Sequence, residues 1–300
     1  MCRLIDEITF FLESSGFVCS RQVRNDSDVI CTRTLDGKRQ AVIFPLEISG
    51  RDPMEADRIS QEAYETIHLI RTLEGYPLII PEDMWNRQRE MMQARLLAHL
   101  ELFSQAYARN CEVRRIDKET AQRFLKENHS YGYASCKYRY GLFLKRHTGH
   151  IAREMQKEES VGSTQSYDTG RLIAVATFSN ARKWIKDGKE IRSYEWTRYA
   201  SLPDMRVSGG MGKMLKAFIR DVKPDDIMSY ADLEWSRGEV YESLGFKDDF
   251  SGKDGVLFMI DPVTWERKAI RELTGEESGD FRFHRNFGSR KLRLKLIDYK

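Results

Sequence analysis

The sequence predicts an α/β protein, in the looser α+β sense, built as two domains: a small one over residues 1–108 and a larger mixed-sheet one over 109–300. Three observations carry this. At 300 residues the chain exceeds what a single core usually serves. Runs with a helical apolar period alternate with strand-like runs along its whole length. The charge balance also changes sign near residue 108. The first 108 residues hold 12 Lys and Arg against 17 Asp and Glu, the remaining 192 hold 37 against 29, and the net charge is +3.

In the first domain, Ile5, Ile8, Phe11 and Leu12 recur at helical spacing, so the chain opens on an amphipathic helix. Two strands follow over 28–32 and 41–48, separated by the turn Leu35-Asp-Gly-Lys. A long helix is expected over 53–73, stopped by Gly75, then a short strand over 77–80. Pro81 followed by two acids opens a second long helix, from 82 to about 107.

In the second domain a strand is expected over 111–116, and Asp117 opens a helix that continues to about 128. Strands over 138–145 and 171–178 flank a polar stretch, 146–170, which reads as a mobile insertion. A strand over 193–201, a glycine-rich turn and a helix over 211–222 come next. A strand over 227–231, a helix over 236–244 and a last strand over 256–260 complete the pattern.

Composition excludes whole classes of protein. With 41% hydrophobic and 32% charged residues, the chain matches neither a disordered nor a membrane protein. No stretch approaches the ~20 apolar residues of a spanning helix. The apolar N-terminal run carries Asp6 and Glu7, unlike a signal peptide. The five cysteines are odd in number and scattered without a CxxC pair, which argues against a disulfide framework or a cysteine zinc site and points to a reducing cytoplasm. The last twenty residues hold seven basic side chains and one acid, with aromatics interleaved. Two readings stay open: a contact for a polyanion such as nucleic acid or a cofactor phosphate, or an edge strand whose cations discourage pairing.

The segment Arg206-Val-Ser-Gly-Gly-Met-Gly-Lys213 lies between a strand and a helix. Glycines at 209, 210 and 212 allow unusual backbone conformations and close ligand approach. The first turn of the following helix presents unpaired N–H groups and the positive end of its dipole. Val207, Ser208, Gly209, Gly210, Met211, Gly212 and Lys213 therefore form a candidate phosphate or pyrophosphate site. The loop is neither a Walker A loop nor a GxGxxG fingerprint, and a purely structural turn remains the alternative.

The pattern V-x-x-G-x-G at Val207, Gly210 and Gly212, followed by Tyr241-Glu-Ser-Leu-Gly-Phe246, resembles the acyl-CoA N-acyltransferase (GNAT) superfamily. The resemblance implies a loop that holds the pyrophosphate of acetyl-CoA or another acyl-CoA, and Tyr241 as the acid that protonates the departing thiolate. Where that superfamily usually has Gln or Arg, three residues before the first loop glycine of the pattern, this chain has Val207.

A narrower likeness covers residues 107–250. Tyr107-Ala-Arg-Asn-Cys-Glu-Val, Asn128-His129, Tyr140-Gly-Leu-Phe, Ala176-Thr-Phe-Ser, Tyr194-Glu-Trp-Thr-Arg, Val207-Ser-Gly-Gly and Ser229-Tyr-Ala-Asp-Leu-Glu-Trp-Ser-Arg-Gly resemble the C-terminal domain of phage and mobile-element homing endonucleases. They are more distantly similar to Mom-type DNA-modification enzymes. The resemblance implies DNA as a partner and adds Arg198 as a ligand for an acidic group. Asp232, His129 and Ser229 join Tyr241 as candidates for proton transfer or substrate orientation. Against these stand structural readings: Asp232 as a helix cap, His129 as a helix end, and Tyr241 as packing. Glu195 and Arg198, three apart on one strand, point to opposite faces unless a bulge intervenes.

The first domain resembles a Vsr-like nuclease in three places: Asp28, Leu46-Glu47-Ile-Ser-Gly50 and Glu82-Asp83-Met-Trp85. The resemblance implies Asp28 and Glu47 as ligands of Mg2+. The lysine expected on the helix over 53–73 is missing, and arginine does not replace a proton-shuttling lysine. Two functions follow as expectations: an acyl-CoA-dependent N-acyltransferase that modifies an amine, with nucleic acid as one candidate acceptor, or a homing-endonuclease-like DNA-binding protein with a metal-dependent or degenerate nuclease unit and a non-catalytic GNAT-like domain that docks DNA.

Overall fold

The computed structural model describes residues 3–145, 169–186, 188–272 and 279–299. Of the expected insertion over 146–170, residues 146–168 lie outside the described residues. The chain forms a mixed α/β structure in two compact units. The first takes Met1–Glu101, Asp232–Arg237 and Gly252–Ser289, and the second takes Leu102–Ala231, Gly238–Ser251 and Arg290–Lys300. A single boundary at 108 is thus replaced by a chain that passes between the units several times. No helix among the described residues is long and apolar enough to cross a membrane, and the four described cysteines are free.

The first unit opens with α1 (Leu4–Ser14), which buries Leu4, Ile5, Ile8 and Leu12 on one face. Strands β1 (Val18–Arg24) and β2 (Ser27–Arg33) form an antiparallel hairpin. Its turn residues Asn25 and Asp26 have φ of 45° and 60°, values these two residue types tolerate best among those with a Cβ. β3 (Gln40–Leu46) pairs antiparallel with β2 and parallel with β4 (Leu78–Pro81). Helix α2 (Pro53–Leu73) supplies the crossover that a parallel pair needs. Asp52 caps α2 by accepting from the Glu55 amide at 2.9 Å, and Pro53 sits at the first helical position, where its missing N–H costs nothing. Val29, Phe44, Leu46, Ala63, Ile67, Ile70 and Ile79 form the core between sheet and helix. The single helix expected from 82 to 107 is instead α3 (Glu82–Arg87) and α4 (Arg89–His99), broken at Gln88 with ψ of 49°.

The second unit begins with β5 (Ser104–Tyr107), a 3-10 turn over Ala108–Asn110, and β6 (Cys111–Arg115). Helix α5 (Lys118–Asn128) leads to β7 (Tyr138–Leu144), β8 (Leu172–Phe178), β9 (Arg182–Lys186) and β10 (Lys189–Ser201). After β11 (Met205–Ser208) come α6 (Gly210–Val222), β12 (Asp226–Asp232), α7 (Glu239–Ser243) and β13 (Lys247–Asp248). Strands β6, β7, β8 and β10 run antiparallel in that order, β9 forms a hairpin with β10, and β11 pairs parallel with β5. Alternation along β8 divides the two faces. Ala174 and Ala176 meet α6, while Val175 packs with Ala121, Phe124 and Leu125 of α5. On the α6 face Phe218 stacks on Phe178 at 3.9 Å and meets Tyr138, Tyr140 and Tyr194 edge-on, favourable arrangements for aromatic quadrupoles.

The expected last strand, β14 (Leu257–Ile260), belongs to the first unit rather than to the large sheet. It lies between β15 (Arg267–Ala269) and β16 (Arg282–Arg285) in an antiparallel three-stranded sheet. Gly50 bridges to Phe283 in this unit; a Cβ there would sit 2.6 Å from the Phe283 carbonyl oxygen, so only glycine allows the approach. Four ionisable side chains are buried together. Arg267 pairs with Asp83 and, at 3.1 Å, with Glu234, whose other oxygen lies 2.5 Å from His284 Nε2. Burial alone would raise the Glu234 pKa, but Arg267 and His284 outweigh it and hold the carboxyl below its ordinary value.

β17 (Ser289–Lys295) returns to the second unit and lies between β13 and β12, giving the order β13-β17-β12-β10-β8-β7-β6. The basic segment is therefore an interior strand. Arg290 pairs with Glu242 at 2.7 Å, Lys291 with Asp249 at 2.9 Å, and Arg293 with Asp226 at 2.9 Å and Asp249 at 3.0 Å. These cations neutralise neighbouring carboxylates of the same sheet edge.

Candidate active site

The site is set by what happens in the middle of β10. Against β8, Trp196 pairs with Phe178 and Arg198 with Thr177, so Thr197 is the extra residue of a β-bulge. The Thr197 and Thr177 hydroxyls bond at 2.7 Å and steady it. On the other side β10 runs parallel to β12 for three rungs, Ser193–Asp226 to Glu195–Met228, and its pairing stops there. The ladder between the two strands thus ends just before the bulge. Ser229, the first residue past the last rung, is buried and donates to the Trp196 carbonyl at 3.0 Å, satisfying an acceptor the interrupted ladder leaves over.

The bulge also changes which side chains face one another. In a regular strand Glu195 and Arg198 point apart; the extra residue turns them to one side, where the Glu195 charge favours the Arg198 cation. Burial works against that cation and lowers the Arg198 pKa. Its Nε donates to the Gly132 carbonyl at 3.1 Å and its Nη1 to the Thr197 carbonyl at 2.8 Å.

His129 ends α5 and stands within the field of Arg198. Burial, and then that charge, push its pKa down to about 4, so the imidazole is neutral at pH 7. Its Nδ1 accepts from the Tyr131 amide at 3.1 Å, an assignment made from the hydrogen-bond partner, and the ring hydrogen then sits on Nε2. Tyr241, on α7, packs its ring edge-on against Trp196 at 5.6 Å and against Phe246 at 5.4 Å. Burial raises the Tyr241 pKa against smaller opposing effects of the Ser229 hydroxyl and Arg198. The phenol therefore keeps its proton at neutral pH.

Of the five residues the sequence nominates for chemistry, His129, Arg198, Ser229 and Tyr241 gather at the split between β10 and β12. Asp232 does not join them. It falls in the first unit, and its carboxylate accepts from the Glu234 amide at 2.9 Å, as a turn-forming Asp does. Glu195 is the residue missed. Only the bulge brings it to the same side as Arg198, and nothing in the sequence marks a bulge at a threonine.

The nominated loop leads into α6. Gly209 is its N-cap, with φ of 74° and ψ of 4°, a left-handed conformation that glycine adopts without strain. Lys213 is the first residue whose amide closes a helical turn, onto the Gly209 carbonyl at 3.0 Å. Among the described residues the amides of Gly210, Met211 and Gly212 meet no acceptor. Val207 lies beneath the turn in the core, Ser208 accepts from Gln105 at 3.1 Å, and a Cβ on Gly212 would press Leu244 at 3.1 Å. Three convergent free amides at a helix N-terminus fit a phosphate or pyrophosphate group. Lys213 is held differently from expectation. Its Nζ donates to the Ala108 and Cys111 carbonyls at 2.8 and 2.6 Å, so the ammonium fastens the 3-10 turn rather than reaching over the loop.

In the first unit Asp28, on β2, and Glu47, just past β3, do approach a common point, and Arg3 is there. Its Nη2 lies 2.9 Å from Asp28 and its Nε 3.5 Å from Glu47. Nearby Glu82 accepts from the Ile48 amide at 2.8 Å, and burial raises its pKa. Among the described residues no three His, Cys, Asp or Glu side chains are grouped to hold a metal. With a guanidinium between the two carboxylates and no third ligand, these residues do not fit Mg2+.

No family model and no curated protein matches the chain. Among solved structures, the crystal structure of spermidine/spermine N-acetyltransferase SpeG from Vibrio cholerae in complex with manganese ions is similar at a TM-score of 0.35 and 10% identity, over 63% of this chain and 94% of that one. At that level of similarity, only the chain's own geometry bears on function.

Proposed function

We propose that the second unit is an acyl-CoA-dependent N-acyltransferase. The single observation carrying this is the pairing of β10 and β12, parallel for three rungs and ended just before the bulge. The unit places free helix amides on α6 and a protonated phenol on α7. The amides of Gly210, Met211 and Gly212 would hold the pyrophosphate, and an acyl-CoA supplies a thioester whose carbonyl an amine can attack. Tyr241 is the proton donor to the leaving sulfur, with Ser229 orienting its hydroxyl. Glu195 would accept the amine proton, and Arg198 would steady a negative charge beside it. His129, neutral and with Nε2 protonated, serves as a hydrogen-bond donor.

The direct test is thermal stabilisation by acetyl-CoA. At a thousandfold excess over Kd, binding stabilises by about 4 kcal/mol, which moves the melting temperature by several degrees. No shift at millimolar ligand rules the proposal out.

For the first unit we infer a nuclease-like scaffold without nuclease chemistry, because Arg3 stands between the two acids that would hold the metal. Supercoiled plasmid incubated with Mg2+ or Mn2+ is expected to stay supercoiled. Nicking that disappears in Glu47→Ala would show the unit to be an active nuclease.

A further inference from the structure

A groove of about 440 Å³ opens between β6 and α6 in the second unit, and none of the residues assigned above to acyl transfer lines it. It is lined by Lys145, Lys213, Lys216 and Arg220, against the single carboxylate of Glu112. Lys213, Lys216 and Arg220 are three and four residues apart, so they share one face of α6. From Lys213 to Arg220 the helix advances about 10 Å. Glu112 is already engaged at 2.9 Å by Arg114 and reaches Lys145 only at 3.7 Å. Asp221, the partner of Arg220 at 3.0 Å, is also bound by the Tyr140 hydroxyl. Among the described residues the local acids therefore leave an excess of positive charge in the groove.

We propose that this groove binds the phosphate backbone of a nucleic acid. A site for one small phosphate would bury its cations and direct them at a point. Here Lys145 and Arg220 keep 55% and 75% of their side-chain surface in solvent, on long stems along an open trough. That arrangement suits a line of charges. Duplex phosphates on one strand recur every ~3.4 Å along the axis, so 10 Å of helix faces about three of them. The interaction is electrostatic and carries no base readout. It does not depend on the acyl-transfer reading, and the two can fail separately.

The experiment uses the full chain and a fluorescein-labelled 20-base-pair duplex, followed by anisotropy between 50 and 200 mM salt. A triple variant, Lys145→Ala, Lys216→Ala and Arg220→Ala, is compared with a charge-matched control on the opposite face, Lys118→Ala, Arg123→Ala and Lys126→Ala. Lys213 is left intact because it fastens the 108–111 turn. Each phosphate contact contributes about −0.9 to the slope of log K against log salt, so the groove variant is expected to lose roughly 2.7 from that slope while the control keeps it. Unchanged stabilisation by acetyl-CoA, or an unchanged circular dichroism spectrum if that ligand does not bind, shows the groove variant to be folded. The proposal is overturned if wild type fails to bind the duplex at 50 mM salt, or if the groove variant keeps the wild-type slope. Equal losses in the two variants also overturn it. So does inorganic pyrophosphate that binds in the groove while the duplex does not, which would assign the groove to a small anion.

Discussion

Replacing Arg267 by Met will lower the stability of the protein by about 3–5 kcal/mol, read as a fall in the urea midpoint at unchanged slope. The reason is what stays behind. Arg267 is almost fully buried, as are Asp83 and Glu234, and without the guanidinium two carboxylates face each other out of water. The attraction within the intact group largely repays desolvation rather than adding net stability, so deletion of one member costs far more than the group itself contributes. Substituting Asp83→Leu and Glu234→Met together with Arg267→Met removes both carboxylates along with the guanidinium and is expected to recover much of the loss. The pH dependence has a definite sign. The folded-state pKa of Glu234 lies below its unfolded value, so its contribution is present above the unfolded pKa, near 4.3, and fades as pH falls through the folded one. That acid-side loss will be missing from Glu234→Gln. A midpoint change worth less than about 1 kcal/mol in Arg267→Met would mean that water reaches the group.

The parts of this fold that are legible in the sequence are those with local chemistry of their own. Helix α2 is announced by Asp52-Pro53, α5 by Asp117, and the start of α6 by Gly209, because a cap acts on the nearest amides and needs no distant partner. Strand β1 is not legible. Its apolar residues Val18 and Val23 are exposed, so no buried face imprints an alternation, and the sign of its hairpin is only the turn pair Asn25-Asp26. β17 reads as a basic tail because the acids that pair with it, Asp226, Glu242 and Asp249, lie more than forty residues away in sequence. The site divides along the same line. The helix amides and Tyr241 can be anticipated from Gly209-Gly-Met-Gly212 and Tyr241-Glu-Ser-Leu-Gly-Phe246. The bulge at Thr197 cannot, and with it goes Glu195. Lys213 shows the converse error: a lysine in a glycine loop suggests a phosphate ligand, yet two carbonyls of a turn a hundred residues earlier claim it.

Tyr241→Phe will reduce kcat for thiol release from acetyl-CoA, in the presence of primary-amine acceptors, by about 10²- to 10⁴-fold, with KM for acetyl-CoA nearly unchanged. The substitution keeps the ring, and with it the edge contacts to Trp196 and Phe246, so packing is preserved and only the proton is removed. Because burial raises the phenol pKa, the wild-type rate will hold through neutral pH and decline only where Tyr241 ionises, above the ordinary tyrosine range. The Phe variant has no such proton to lose, and its profile will lack that alkaline limb. Ser229→Ala, which deletes a hydroxyl beside the phenol and leaves the Trp196 carbonyl unpaired, should give a smaller loss of kcat together with a measurable loss of stability, since that serine is buried. The pairing of results separates the roles. A proton donor moves kcat and the alkaline limb without moving the melting temperature, whereas a packing residue does the reverse. If Tyr241→Phe keeps kcat within twofold of an active wild type, the thiolate departs unassisted and Tyr241 serves only to fill the space between Trp196 and Phe246.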